Sequence, residues 1–260
     1  MAQIKELTAN KMRVKIFESR SQMGNEAAYE VSKKIQELLQ LREFVNIIFA
    51  AAPSQNEFLS SLAEQQDVDW SRVNAFHMDE YVGLDEGAPQ RFGQFLKERI
   101  FDKVPVNKVY YINGNADDLN DECYRYSRLL EQYPPDIVCM GIGENTHIAF
   151  NDPHVADFND PLGVKVVALD EVSRQQQVND GCFKNIENVP AFAITLTVPA
   201  LLGADSIYCL VPGTNKASAI NYTINSEVNE SYPSTSLKNH DHAILYLDKD
   251  SAAKLEEIIF

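Results

Sequence analysis

The sequence predicts an α/β fold, a modified doubly wound (Rossmann-like) and mostly parallel sheet with helices on both faces. Short runs rich in β-branched and aromatic residues alternate with longer amphipathic stretches along the chain. One of these runs, FVNIIFA at 44–50, is almost continuously apolar, as in a strand that helices cover on both sides. The chain has no repeats, low-complexity tracts or linker-like segments, so its 260 residues are expected to form a single domain, residues 1–260.

The first elements follow the order strand, helix, strand, helix. MRVKIF (12–17) is a predicted strand, and a helix is expected over 22–41. The apolar face of that helix is formed by Ala27, Val31, Ile35 and Leu38. After the strand at 44–50, Ser54 and Glu57 form a capping-box pattern, which predicts that a second helix begins there.

Later strands bring polar residues to one edge of the predicted sheet. VNAFHM (73–78) ends at the acidic pair Asp79–Glu80, and DIVCMGIG (136–143) ends in glycines. Further strands are expected at 164–169, 192–198, 206–212 and 242–247, and helices at 214–224 and 250–259. Parallel sheets of this kind bind ligands outside the carboxyl ends of their strands, which is where these polar residues fall.

Charge and composition restrict the possible partners. The formal net charge of −15 and a pI near 4.7 argue against nucleic acid, whose phosphates are bound by clustered Lys and Arg. No apolar run reaches the roughly 18 residues of a membrane span, and the first residues lack a signal-peptide pattern. Four widely spaced cysteines show no metal-ligand spacing: Cys123, Cys139, Cys182 and Cys209. We therefore expect a cytoplasmic protein with reduced thiols and no bound metal, acting on a small molecule.

The segment GIGENTHIAFNDP (141–153) begins like a dinucleotide-binding fingerprint but has Thr146 in place of the third glycine. Its final proline stops a helix almost where one would begin. The segment therefore predicts no nicotinamide or flavin cofactor. Gly141 and Gly143 instead indicate a sharp turn, or backbone that approaches a bound substrate closely.

His147 and Asp152 are candidate acid–base residues in the same segment. Five residues apart across a turn, a carboxylate can fold back onto an imidazole and fix its tautomer. A surface loop with unrelated polar residues fits the spacing equally well. His77, which alternates within a strand, and His154, in a loop, are expected to be structural or solvent-exposed.

Two further sites are suggested by position alone. Asp79, where an apolar strand ends, is a candidate general base because partial burial raises a carboxyl pKa, and Glu80 is a candidate substrate contact beside it. A solvated loop is the alternative. Ser54 and Gln55 at a helix start, and Lys216 at another, are candidate anion contacts, although a solvated lysine is common at such a place.

Four segments together resemble the glucosamine-6-phosphate deaminases, which are related to the 6-phosphogluconolactonases. They are FHMDEYVGL (76–84), GIGENTHIAFNDP (141–153), PGTNKASAI (212–220) and PSTSLKNHDHAILYLD (233–248), in the family's order. The resemblance covers nearly the whole chain and implies a modified doubly wound fold. It also implies an isomerase/deaminase-like hydrolase of amino sugar metabolism that converts glucosamine 6-phosphate, or a close relative, to a ketose phosphate and ammonia without metal or nucleotide.

The resemblance also implies a role for each matching residue. Asp79 would remove the proton at sugar C2 and return it at C1. His147 would open the sugar ring, oriented by Asp152 and by Asn145, and Lys216 would bind the phosphate.

The chain departs from the family in three respects, two in the acid–base segment and one in phosphate binding. The usual acid two positions before the histidine is Asn145, and the following carboxylate is Asp152 rather than Glu. The phosphate loop reads FAAAPSQNEF (49–58), and 173–183 lacks the usual arginine before a Phe pair. Ser54, the amides of Gln55 and Asn56, and Lys216 remain to bind phosphate, with Lys238 a possible replacement charge.

These departures leave two other functions open. One is a lactonase-like sugar-phosphate hydrolase in which His147 activates water. The other is a sugar-phosphate-binding protein without turnover. The family's implied assemblies range from hexamers to smaller units, so a homo-oligomer is possible and its size stays open.

Overall fold

In the computed structural model of the protein, which describes residues 3–255, strands and helices alternate along the chain. The strands are β1 (Gln3–Ala9), β2 (Met12–Phe17), β3 (Val45–Phe49), β4 (Val73–His77), β5 (Asp79–Tyr81), β6 (Lys108–Tyr110), β7 (Ile137–Met140), β8 (Val164–Ala168), β9 (Phe192–Leu196), β10 (Ser206–Val211) and β11 (Ala243–Asp248). The α-helices are α1 (Arg20–Leu39), α2 (Asn56–Ala63), α3 (Phe92–Leu96), α4 (Leu119–Gln132), α5 (Glu171–Asn179), α6 (Val198–Leu202) and α7 (Ala217–Asn225).

The main sheet has eight strands in the order β1-β2-β11-β10-β7-β3-β4-β6. Every neighbouring pair in it is parallel except β1 and β2, which form an antiparallel hairpin at one edge. The predicted mostly parallel α/β sheet is therefore confirmed. The hairpin was not predicted, and its turn places Asn10 at φ 53°, a conformation that Asn adopts more readily than most residues.

Apolar layers cover both faces of this sheet. Ile47 and Phe49 of β3 pack into a cluster that includes the buried face of α1. Ile48, between them, points to the opposite cluster, which contains residues of α4, α6 and α7. This alternation explains why β3 is almost continuously apolar, and the face predicted for the first helix is the buried one. No helix within residues 3–255 is long and apolar enough to span a membrane.

A small antiparallel sheet, in the order β5-β9-β8, stands apart from the main one. The strands expected at 164–169 and 192–198 exist but belong to this sheet and not to the parallel one. β8 differs from the central parallel strands because only its Val164 and Val167 are buried. β9 is important for the cleft described below, since it pairs with β5 immediately after β4.

Two local predictions were wrong. Ser54 does not cap a helix: it lies in a 3₁₀ turn, Pro53–Gln55, and its hydroxyl accepts a hydrogen bond from Gln55 Nε2 at 3.1 Å. Glu57 pairs instead with Arg20 of α1. The helix expected at 250–259 is a series of turns as far as residue 255, and the rest of that prediction lies outside the described residues.

Candidate active site

A cleft opens at the carboxyl ends of β3, β4, β7 and β10. Its cavity volume is about 160 Å³. The walls are formed by residues that directly follow these strands, as expected for a parallel sheet. Six of the predicted site residues line it: Ser54, Gln55, Asp79, Gly141, Gly143 and Lys216. His147 lies beside it against Gly143, whereas Glu80, Asn145 and Asp152 do not line it.

Asp79 is the carboxylate that faces the cleft. It is 8% exposed, and within the described chain its side-chain oxygens have no hydrogen-bond donor. Burial, and then the charge of Glu80, hold the pKa of Asp79 well above its usual range. The direction of this pKa shift is the one expected from the sequence. A carboxylate without protein donors, poised to take up a proton, can act as a general base.

Glu80 does not reach the cleft, contrary to its prediction as a substrate contact. Successive side chains of a strand point to opposite faces, so Glu80 projects away from Asp79. Its carboxylate accepts hydrogen bonds from the backbone amides of Tyr81, Phe92 and Gly93, all at 3.0 Å. Burial raises the pKa of Glu80, and these amides oppose that rise. Glu80 therefore anchors the start of α3.

His77 holds the backbone of Asp79 in place. The Ile112 amide donates to His77 Nε2 at 2.9 Å, so Nδ1 carries the proton and donates to the Asp79 carbonyl at 2.8 Å. Complete burial lowers the pKa of His77 to about 4, which keeps the ring neutral. The Tyr126 hydroxyl, bonded to the His77 carbonyl at 3.0 Å, completes the support.

The loop that carries His147 has a strained backbone. Thr146 and Ala149 adopt φ values of 70° and 48°, in the left-handed region that costs roughly 1–2 kcal/mol per residue without glycine. The Gly143 amide donates to the His147 carbonyl at 2.9 Å, which closes the loop. The imidazole lies so close to Gly143 that a Cβ there would be 2.0 Å from its Cε1. Glycine is therefore required at 143 by this ring.

Strand β9 ties this loop to Asp79. Thr195 pairs with Asp79 in the small sheet, and its hydroxyl accepts a hydrogen bond from the Phe150 amide at 3.0 Å. The Asn151 side chain donates to the Leu196 carbonyl at 2.8 Å. The small sheet thus links the two parts of the chain that carry the candidate acid–base groups.

Three side chains orient His147 through its Nδ1 atom. Asn145 Oδ1 lies 2.7 Å from Nδ1, Ser173 Oγ 2.8 Å and Asp152 Oδ1 3.2 Å. Asn145 Nδ2 donates to the same Asp152 oxygen at 2.9 Å, and Ser173 also donates to it. Since Asn145 accepts through its oxygen, Nδ1 carries the proton. Nε2, without a hydrogen-bond partner in the described chain, remains for a substrate.

Asn145 is uncharged, so Asp152 is the side chain that supplies negative charge beside His147. Burial alone would raise the pKa of Asp152, but hydrogen bonds and charge interaction with His147, with help from Ser173 and Asn145, hold it below its usual range. Asp152 is fully buried, and these interactions keep it ionised beside the imidazole despite that burial. The predicted pairing of His147 with Asp152 is present in the structure, with Asn145 bridging the two.

We expect Ser173→Ala to lower kcat about fivefold, because one hydrogen bond to each of His147 and Asp152 is lost. It should also raise the pKa of Asp152. A carboxyl group whose pKa is lowered by folding stabilises the fold, and this stabilisation is lost as pH falls through the folded-state pKa. Because that pKa is higher in the variant, its acid unfolding should begin at a higher pH than that of the native protein. Ser173→Thr, which keeps the hydroxyl, is the control for both kcat and acid unfolding. Equal behaviour of the Ala and Thr variants would show that Ser173 does not orient His147.

Lys216 supplies a cation to the wall of the cleft. It is 5% exposed and forms no hydrogen bond or ion pair through Nζ with any described residue. Burial lowers the pKa of its ammonium, and the charges of Asp180 and Glu144 oppose this. A buried ammonium without a protein partner is suited to an anionic ligand.

The backbone amides expected to bind an anion near Ser54 are already used. The Gln55 amide donates to the Ala52 carbonyl at 2.9 Å, and the Asn56 amide donates to that of Pro53. The Gln55 side chain is more promising. Its Nε2 donates to the Leu210 carbonyl at 3.3 Å, and its buried Oε1 has no hydrogen-bond partner in the part of the chain that the structure describes.

Lys238 does not provide a replacement charge. Its ammonium donates to the carbonyl of Ser226, beyond the end of α7, and so caps that helix. Arg20 lines the cleft instead, bound to Glu57 by its guanidinium and to the Pro53 carbonyl. The position of Arg20 was not predicted, because α1 lies far along the chain from the signature segments.

Helix α5 contributes side chains that sequence reasoning missed. Ser173 contacts His147, and Gln176 accepts a hydrogen bond from the Glu144 amide at 2.9 Å. Gln177 and Asp180 also line the cleft. One signal was present: the run SRQQQVND is too polar for a helix that merely covers the core. Across residues 3–255, no group of three or more His, Cys, Asp or Glu side chains is placed to hold a metal ion.

Comparison with known proteins gives consistent matches. The sequence-family model described as glucosamine-6-phosphate isomerases/6-phosphogluconolactonase matches residues 18–246. A glucosamine-6-phosphate deaminase of Streptococcus suis is 37% identical over 194 residues, 75% of this chain and 81% of that protein. One of Streptococcus sanguinis is 32% identical over 244 residues, 94% of this chain and 100% of that protein.

Solved structures agree with the fold. A monomeric glucosamine-6-phosphate deaminase superposes with a TM-score of 0.84 at 26% identity, covering 93% of this chain and 99% of its own. A 6-phosphogluconolactonase from Thermotoga maritima gives a TM-score of 0.73 at 18% identity, covering 91% and 99%. The second match, at this low identity, supports the fold alone.

Proposed function

Because the chain belongs to the glucosamine-6-phosphate isomerase/6-phosphogluconolactonase family, we propose that it is an enzyme that converts an amino sugar phosphate to a ketose phosphate and ammonia. The substrate is glucosamine 6-phosphate or a close relative. The observation that carries this proposal is the carboxylate of Asp79, which is buried in the cleft, has a raised pKa and accepts no hydrogen bond from the described residues. Lactone hydrolysis needs no such base at a sugar carbon.

Each step of the reaction has a candidate group in the cleft. His147, whose Nε2 is open, would move a proton at the ring oxygen and so open the sugar to its aldehyde. Asp79 would then remove the proton from C2 and deliver it to C1, which gives a ketose imine at C2. Addition of water to that imine and loss of ammonia would complete the reaction. Atoms balance, since the sugar gains one oxygen from water and loses its nitrogen.

Substrate binding is supported by other residues that line the same cleft. The ammonium of Lys216, which has no partner among the described residues, would bind the phosphate. Gly141 packs against Gln55, where a Cβ would lie 3.2 Å from Nε2, and Gly143 leaves room for the His147 ring. We assign Lys216 to substrate binding, and Asp79 and His147 to the proton transfers of the reaction.

We expect Lys216→Ala to raise the KM for the sugar phosphate by about tenfold or more and to change kcat much less, because a charged hydrogen bond to phosphate is lost. Steady-state kinetics measure both constants. Lys184→Ala removes an exposed lysine and is the control, with an expected KM close to that of the native protein. An unchanged KM in the Lys216 variant would exclude its role in phosphate binding.

The proposed function is tested by a panel of amino sugar phosphates and a sugar-phosphate lactone. Ammonia and ketose phosphate are measured together for each compound. We expect both products in equal amounts from at least one amino sugar phosphate, and no accelerated opening of the lactone. Lactone hydrolysis without ammonia release would show a lactonase, and binding without any product would show a sugar-phosphate-binding protein.

A further inference from the structure

The end of the cleft that holds Lys216 also holds an acid, Asp180. Both side chains line the same cavity, although they do not form an ion pair within 4.0 Å among the described residues. The Asp180 carboxylate accepts a hydrogen bond from Gln176 Nε2 at 3.3 Å, which fixes its position. Any ligand group bound by Lys216 would therefore also meet the negative charge of Asp180.

Helix formation does not explain an acid at this position. Asp180 is the C-cap of α5, and the last turn of that helix has no basic residue. The C-terminal end of a helix carries partial negative charge, so a carboxylate there opposes helix stability. Helix stability therefore does not account for Asp180, and its position in the wall of the cleft calls for another explanation.

The other groups at this end add little net charge. Gln55, Gln177 and Asn215 are uncharged amides. Arg20 is already neutralised by Glu57, with Arg20 Nε and Glu57 Oε1 2.6 Å apart. Among the described residues, the carboxylates whose charges act on Lys216 are those of Asp180 and Glu144, and both oppose its positive charge.

A phosphate monoester carries close to two negative charges above its second pKa of about 6. One free ammonium offset by a carboxylate does not match such a dianion. We propose that Asp180 sets the charge preference of the cleft: it offsets Lys216, so that a sugar end group with one negative charge or none is bound about as well as a dianionic phosphate. The inference rests on the proposed function, because it concerns the far end of the same amino sugar.

Binding of two unreactive ligands tests the proposal without requiring turnover. The ligands are glucosamine 6-phosphate reduced to the alcohol at C1 and the same amino alcohol without phosphate, measured by calorimetry at pH 8. We expect their dissociation constants for the native protein to agree within about tenfold. In Asp180→Asn the phosphorylated ligand should bind at least about fivefold more tightly, with the other unchanged, because a like charge is removed.

Glu171→Gln removes an exposed acid from the same helix and should change neither affinity. The melting temperature of Asp180→Asn should equal or exceed that of the native protein, which excludes misfolding as the cause. An unchanged affinity ratio in Asp180→Asn, a native preference for the phosphorylated ligand far above tenfold, or no binding of either ligand would overturn the proposal. Failure of the proposed function is seen separately, as absence of ammonia release by the native protein.

Discussion

Asp79→Asn is expected to reduce ammonia release by about 10³-fold or more, since general bases contribute roughly 10²–10⁴-fold and Asn cannot accept the C2 proton. Substrate binding should remain, because the amide has the shape of the carboxylate. The measurement is steady-state ammonia release together with binding of the C1-reduced ligand. Asp85→Asn, at an exposed position, is the matched control and should keep native activity.

The same substitution should stabilise the fold at neutral pH. Burial raises the pKa of Asp79, so the folded state binds its proton more tightly than the unfolded state does. Asp79 therefore contributes stability at low pH, and this contribution is lost as pH rises through the raised folded-state pKa. Asn has no charge to bury, so the melting temperature of the variant should exceed the native one at pH 8. Full activity in Asp79→Asn would show that Asp79 is not the base.

Gly143→Ala is expected to lower kcat by about 10²-fold or more, because orientation of a catalytic group to within about an ångström is required for its effect. The added Cβ would lie 2.0 Å from His147 Cε1 and 2.2 Å from Nε2, so the imidazole must leave its present position. That movement breaks the contacts of Nδ1 with Asn145 and Ser173. Overpacking of this kind also costs about 1–3 kcal/mol of stability.

Gly87→Ala is the control for that substitution. A Cβ at Gly87 meets no atom within 4 Å, so activity and melting temperature should stay at native values. If Gly143→Ala has the same kcat as the native protein and the Gly87→Ala control, the present position of the His147 ring is not needed for catalysis. Loss of stability without loss of kcat in the folded fraction would lead to the same conclusion.

The main sheet was predictable because its central strands are apolar on both faces, as β3 is, and because α1 repeats its apolar residues with helical period. The placement of Asp79, Gly141 and Gly143 at one edge followed from their positions just after such strands. The opposite orientation of Glu80 was missed because β5 was not recognised as a strand. Three residues are too few for an alternating pattern to be detected.

Contacts between distant segments could not be predicted from local pattern. Ser173 bonds to His147 across 26 positions of sequence, and nothing in either segment specifies the other. Asp180 reaches the cleft only because α5 packs beside the His147 loop. Lys238 seemed available as a cation, but α7 ends where its ammonium can bond to helix carbonyls. These outcomes depend on tertiary packing.

The central claim is that Asp79 transfers a proton between C2 and C1 during an aldose–ketose conversion. The most direct test is the reaction of glucosamine 6-phosphate in heavy water, followed by NMR of the product together with an ammonia assay. We predict one ammonia per ketose phosphate and less than one deuterium at C1 of the ketose, because Asp79 returns part of the C2 proton to C1 before it exchanges with solvent. Neither product should be formed by Asp79→Asn. Ammonia without a ketose product, or deuterium incorporation that is unchanged in Asp79→Asn, would contradict this account.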